Sequence, residues 1–273
     1  MKLWTALLSL IFITPTAWGN QNYQNQVFTD SQFTASAYGR EVAKRCLNPK
    51  QSSGNFYFNS FPHASQNHFL SSKKAPRPQY TFQSTSGKVT APTKTKNYYA
   101  KPVFEKALAD SSVKRILIFL GVNNLSTPNS AAAMVDKVVA SGKECVFGLP
   151  PLYRSDKLKL NPKILRFNRN LVQRIKRSHG DKCKIVDTSG TLGSQGQRRF
   201  FNARDGLHFS QPSVVAAATC AAFKKLDQGH SVVEPIREDF ESEDSQTYNL
   251  DLEPASEYAS GATEEVDKLA TYF

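Results

Sequence analysis

Val27-Phe28-Thr29-Asp30-Ser31-Gln32-Phe33 lies just after the N-terminal apolar segment and sets the reading of the whole chain. A short run of strand formers ends in Asp-Ser, and Thr34–Leu47 follows with helical spacing, placing Tyr38, Val42, Cys46 and Leu47 on one face. Such a strand-to-helix turn exposes a serine at the carboxyl edge of a sheet, where the first helical N–H groups point at whatever it attacks. Asp-Ser before a helix more commonly serves only as an N-cap. Two later stretches give the turn its interest: Gly121-Val122-Asn123-Asn124, which closes an apolar run, and Asp205-Gly206-Leu207-His208, which precedes the last helical segment.

Around that turn the chain alternates strand and helix. Residues 26–30 read as the first strand, and Asn48-Pro49 stops the first helix. Asn55–Asn59 reads as a second strand, entered through Gly54. Arg115–Leu120 is an unbroken apolar run, the pattern of a central strand covered on both faces. Glu144–Leu149 and Lys184–Asp187 complete five strands, with helices expected near 102–109, 131–141, 163–178 and 212–227. The alternation predicts a parallel sheet in a three-layer α/β domain. Ligands of such sheets bind beyond the carboxyl ends of the strands, where Ser31, Asn123 and Asp205/His208 all fall.

Residues 60–101 break the pattern. Rich in Ser, Thr, Pro and Lys, they read as a long irregular loop, either a cleft wall or a solvated insertion. There Lys73, Lys74, Arg77, Lys88, Lys94 and Lys96 interleave with Tyr80, Phe82, Tyr98 and Tyr99, a mixture that could grip an anionic polymer.

The termini and the charge bound the function. Met1-Lys2, an apolar run from Leu3 to Ile13, and Ala17-Trp18-Gly19 have the layout of a signal peptide cleaved after Gly19. The domain then runs from 20 to 230, and the mature chain is expected to be exported, periplasmic or extracellular, and soluble. Cys46, Cys145, Cys183 and Cys220 read as two disulfides in that setting; none has metal-site spacing, and no cofactor is expected. The 35 basic and 23 acidic residues leave +12 overall, unevenly placed. Residues 231–273 hold twelve acidic side chains against Arg237 and Lys268, so this tail carries −10 and the remainder +22. The tail is poor in apolar residues and is expected to be disordered. A basic body suits an anionic partner such as an envelope polymer or anionic lipid, or is simply a solvated surface. Nucleic acid fits least well, since no recognisable binding module is present.

Acyl transfer needs a nucleophile, a base, a group to orient the base, and donors for the oxyanion. Ser31 is the candidate nucleophile, His208 the base, and Asp205 the carboxylate that fixes its tautomer. Phe28-Thr29-Asp30-Ser31, Gly121-Val122-Asn123-Asn124 and Asp205-Gly206-Leu207-His208, in that order, resemble the blocks of the SGNH (GDSL-type) hydrolase superfamily, over roughly Val27 to Phe223. The resemblance implies a flavodoxin-like fold with a five-stranded parallel sheet, and hydrolysis of an ester or thioester. It also implies an oxyanion hole made of the Ser31 N–H, a glycine N–H and the Asn123 side chain.

Three departures stand out. Thr29 occupies the usual glycine position, and Asn124 replaces the usual aspartate. No glycine follows the second strand, where Phe61-Pro62-His63 stands instead and Pro62 has no N–H to give. The missing donor would have to come from Ser60, His63 or Ala64. Gly121, Asn124, Pro62 and His63 are the expected cleft residues, and His68 is another candidate to line it. In a flavodoxin-like order the first and last helices share one face, which pairs Cys46 with Cys220 and, across adjacent strands, Cys145 with Cys183.

Two functions follow from this reading. One is an exported serine esterase acting on an acyl or acetyl ester of an envelope-associated or extracellular substrate, anionic or carbohydrate-linked. The other is a catalytically weak protein of the same fold that binds an anionic glycan.

Overall fold

A computed structural model describes residues 23–227 except 35–36, 48–54, 86–87, 122, 124, 126–127, 152–160 and 188–207. The expected signal segment, the acidic tail, Gly54, Asn124 and Asp205 lie outside the described residues.

The parallel core has the expected order. Strands β1 (Asn25–Thr29), β2 (Phe56–Ser60), β6 (Arg115–Phe119), β7 (Glu144–Gly148) and β8 (Cys183–Val186) run parallel as β2-β1-β6-β7-β8. The reason lies in their composition. Alternate side chains of each strand point to opposite faces, and both faces are apolar. Val27 and Leu117 pack with α1 (Tyr38–Arg45) and α6 (Pro212–Asp227) on one side. Phe28, Ile116 and Ile118 pack on the other with α2 (Gln66–Leu70), α3 (Ala100–Ala109), α4 (Pro128–Ala140) and α5 (Asn161–His179).

The sheet has eight strands rather than five. The additional three come from the stretch expected to be a loop: β3 (Tyr80–Thr85) pairs antiparallel with β2, and β4 (Lys88–Val89) and β5 (Thr93–Lys94) pair with β3. This flank is short and polar, so it lacks the apolar alternation that marks a strand. Its one deep anchor is Phe82, 1% exposed and stacked on Phe58 at 4.1 Å between ring centroids. Phe82 is therefore a core residue and not part of any surface grip.

The first helix is also shorter than its spacing suggests. A 3₁₀ turn occupies Ser31–Phe33, and α1 begins only at Tyr38. Gly39 makes the close packing of these two pieces possible, because a Cβ there would stand 2.6 Å from the Phe33 ring.

Both expected disulfides are present. Cys145 and Cys183 are register partners on β7 and β8, with Cα atoms 4.5 Å apart. Cys46, at the end of α1, joins Cys220 of α6 at 5.3 Å. Among the described residues no helix is long and apolar enough to cross a membrane.

Candidate active site

The N-cap and nucleophile readings of Asp-Ser turn out to be compatible. Asp30 caps the 3₁₀ turn, its Oδ1 accepting from the Gln32 N–H at 3.0 Å. Ser31, the first residue of that turn, is half-buried at the carboxyl end of β1. The Ser60 hydroxyl donates to the Asp30 carbonyl at 2.7 Å and fixes the turn from the neighbouring strand.

His208 approaches from the far end of the sequence, its Nε2 3.4 Å from Ser31 Oγ across a separation of 177 residues. A chain of aromatic contacts sets this distance. Phe33 packs edge-on against Tyr38 at 5.1 Å, and Tyr38 against Phe209 at 4.8 Å. Phe209 is 6% exposed and is the immediate neighbour of His208. The Tyr38 hydroxyl also meets Thr219 Oγ1 of α6 at 2.9 Å, and the Cys46–Cys220 bridge closes the same helix pair. Burial pushes the Tyr38 phenol up to about 12, so it remains a neutral bonding partner. Ser31 and His208 are thus carried by two halves of one packed cluster.

Asn123 connects the three loops at this edge. Its Nδ2 donates to the Ala64 carbonyl at 3.1 Å and to Asp30 Oδ2 at 3.3 Å. Gly121 stands two residues before it, at φ +155°, where a Cβ would lie 2.6 Å from Pro150 Cγ; the close approach of the β6 and β7 loops needs glycine there.

The turn after β2 is built without a glycine. Its N–H groups at Phe61 and Ala64 donate to Thr29 O (2.9 Å) and Phe61 O (3.0 Å), and the Ser60 hydroxyl is taken by Asp30. His63 has φ +60°, a left-handed conformation rare for a side-chain-bearing residue and one that clusters at functional sites. Pro62 and His63 are both half-buried. His68 turns away into its own helix cap, its Nδ1 accepting from the Ser65 N–H at 3.0 Å, and burial lowers its pKa. It therefore serves α2 rather than the cleft.

Asp30 is the residue that sequence reasoning undervalued. It is 2% exposed, and burial pushes its carboxyl up to about 6, against the opposing pull of the Gln32 N–H and of His208. An Asp beside a candidate nucleophile carried that signal, but only the fold reveals that it also receives Asn123. Next to it opens a mainly apolar cleft, lined among others by Gln32, Phe33, Leu120, Leu149, Pro150 and Phe209. Gln32 and Phe209 are the chain neighbours of Ser31 and His208.

No family model matches the sequence, and no curated protein does. Solved structures do match in fold. One is an SGNH-hydrolase assignment from Slackia heliotrinireducens, with 17% identity and a TM-score of 0.52, covering 74% of this chain and 97% of that one. Another, a lipolytic G-D-S-L family member from Veillonella parvula, has 15% identity and a TM-score of 0.48 over 74% of this chain and 96% of that one. The C-terminal catalytic domain of peptidoglycan O-acetyltransferase A from Streptococcus pneumoniae has 12% identity and a TM-score of 0.48, over 76% and 93%. With its parallel order β2-β1-β6-β7-β8, helices on both faces, and a serine at the end of β1, this chain has the fold of the SGNH hydrolases.

Proposed function

We propose that this protein is an exported serine esterase that cleaves an acyl or acetyl ester through Ser31 and His208. The observation that carries the reading is the 3.4 Å approach of His208 Nε2 to Ser31 Oγ at the carboxyl edge of the sheet. Catalytic contacts of this kind are often loose before substrate arrives. In the reaction His208 takes the Ser31 proton as Oγ attacks the ester carbonyl. The proton passes to the departing alcohol, and a water activated in the same way then releases the acid from acyl-Ser31. Asp205 would hold the imidazole Nδ1 and fix its tautomer.

The oxyanion would be met by the Ser31 N–H and by Asn123 Nδ2. Of the two bonds that Asn123 makes, the one to Asp30 is longer, and it is the one to be given up to the substrate. In this reading the half-buried Pro62 and His63, together with Gly121 and Asn124, are candidate substrate contacts beyond the apolar cleft beside Asp30. Two disulfides in a chain with signal-like N-terminal sequence support an oxidising compartment outside the cytoplasm. The domain is taken as residues 20–230, with the acidic tail beyond it.

Treatment with a fluorophosphonate probe and with p-nitrophenyl acetate tests the reading. The wild type should label at Ser31 and release p-nitrophenol, and Ser31→Ala should do neither. A folded wild type that neither labels nor turns over would reject the esterase. The absence of a glycine after β2 would then favour a glycan-binding protein with the hydrolase fold.

A further inference from the structure

Between Asn55 and Phe104 the sequence has seven basic residues and no acidic one. The fold gathers a subset of them at one place. Register partners run across the sheet as Thr29, Ser60, Tyr80 and Lys94. Tyr80 and Lys94 therefore lie at the same end of the sheet as Ser31, and with neighbouring strands about 4.8 Å apart Lys94 stands roughly 14 Å from the end of β1. Lys88, by contrast, is paired with Thr85 towards the opposite end and does not belong to this group.

The segments that carry the charges are held in place rather than loose. Ala75 N–H donates to Tyr98 O at 2.8 Å, Gln79 N–H to Asn97 O at 2.7 Å, and Thr95 N–H to Gln79 O at 2.8 Å. Side by side they present exposed Lys73, Lys74, Lys94 and Lys96. Tyr98 and Tyr99, 39% and 42% exposed, stand among the three most exposed large apolar residues of the described chain. Their backbone is fixed outward by Asn97, whose Oδ1 accepts from the Tyr99 N–H at 2.9 Å, and Lys74 Nζ lies 5.9 Å from the Tyr99 ring centre.

We propose that this basic and aromatic strip is a docking surface for an anionic polysaccharide, whose acyl esters are delivered along it to Ser31. The inference rests on the esterase reading for its destination, but the strip stands on its own residues. Lysines of one sign, with no carboxylate side chain in the same stretch of sequence, complement a chain of carboxylate or phosphate groups. Two adjacent exposed tyrosines offer flat apolar faces and hydroxyls, which suit the mixed faces of sugar rings. A polysaccharide also carries the hydroxyl groups on which acyl esters are formed, whereas the backbone of a nucleic acid offers phosphodiesters.

The test is binding of polygalacturonate to the full chain carrying Ser31→Ala, by calorimetry at low and high salt, with dextran as the neutral glycan and oligo(dT) as the competing polyanion. Polygalacturonate should bind and weaken with salt, and dextran should not bind. Changing Lys73, Lys74, Lys94 and Lys96 together to Gln should weaken binding by on the order of tenfold or more. Tyr98→Ala with Tyr99→Ala should weaken it by roughly tenfold at unchanged net charge. Thermal melts of both variants check that the surface changes leave the fold intact. No polygalacturonate binding, binding indifferent to both variants, or tighter binding of oligo(dT) would each overturn the proposal. Failure here with Ser31 of the wild type still labelled by fluorophosphonate would remove the strip alone. Intact binding without labelling would remove the esterase alone.

Discussion

The two sides of the sheet are held by different forces. On the parallel side β1, β6, β7 and β8 are buried between two apolar layers, and the site at their carboxyl ends is set by ring contacts among Phe33, Tyr38 and Phe209. From β1 and β2 outward to the antiparallel flank, a row of amides holds the other side. Asn59 Nδ2 donates to Gln26 Oε1 at 2.8 Å, Gln79 Nε2 to Asn59 Oδ1 at 2.9 Å, and Asn97 Nδ2 to Gln79 Oε1 at 3.1 Å. Apolar burial is non-directional and tolerates small adjustments, whereas each amide in a relay needs its neighbour in a fixed orientation. The fold thus places its candidate chemistry on the strongly buried side and its charged, adaptable surface on the lightly anchored one.

If the parallel side carries the reaction, changes there should act on rate first. His208→Ala should abolish detectable turnover of p-nitrophenyl acetate, and Asn123→Ala should lower kcat by about 10²–10³, the usual cost of one oxyanion donor. Equal rates for the Asn123 variant and wild type would break the assignment of that side as catalytic.

Asp30 sharpens the contrast through pH. Its folded pKa, about 6, is raised above the ordinary value of 3.8, so between these values the folded state holds the proton more tightly than the unfolded one. The contribution of this carboxyl to stability is therefore greatest at low pH, falls as pH rises from about 4 to about 6, and is constant beyond. The change should amount to on the order of 3 kcal/mol. Urea melts of wild type and Asp30→Asn from pH 4 to 7 read this as a growing advantage of the Asn variant. A pH-independent difference would show that Asp30 is not desolvated at the turn.

The smallest effect is expected on the amide side. Gln79→Ala leaves Asn59, 1% exposed, and Asn97 short of a partner, and should cost about 1–2 kcal/mol. Hydrogen exchange should quicken in β3 and β5 while β6 and β7 stay protected. Uniform loosening of the whole sheet would mean that the two sides are one cooperative unit.

The same difference in forces explains which elements are legible in the amino-acid sequence. Arg-Ile-Leu-Ile-Phe at 115–119 can only be a strand covered on both faces, and the expected core strands fall within one or two residues of those observed. The helix over 212–227 coincides with its expected limits. The strand at 80–85 is not legible, because Tyr-Thr-Phe-Gln-Ser-Thr has a single deep apolar anchor and its pairing with Phe56–Ser60 leaves no local mark in the sequence. The 3₁₀ turn at Ser31–Phe33 is hidden as well, since helical periodicity begins immediately after it at Thr34 and gives no sign of a separate turn.

By itself the sequence determined the α/β alternation, the parallel core and the candidates Ser31, Asn123 and His208, because apolar periodicity and turn chemistry are local properties that neighbouring residues impose on each other. Tertiary structure alone decided that Ser31 and His208 stand 3.4 Å apart, that the buried Asp30 receives Asn123, and that Lys94 shares a sheet end with Ser31. Each of those facts joins residues far apart in the chain. Their distances follow from how whole layers pack, which no local window of sequence contains.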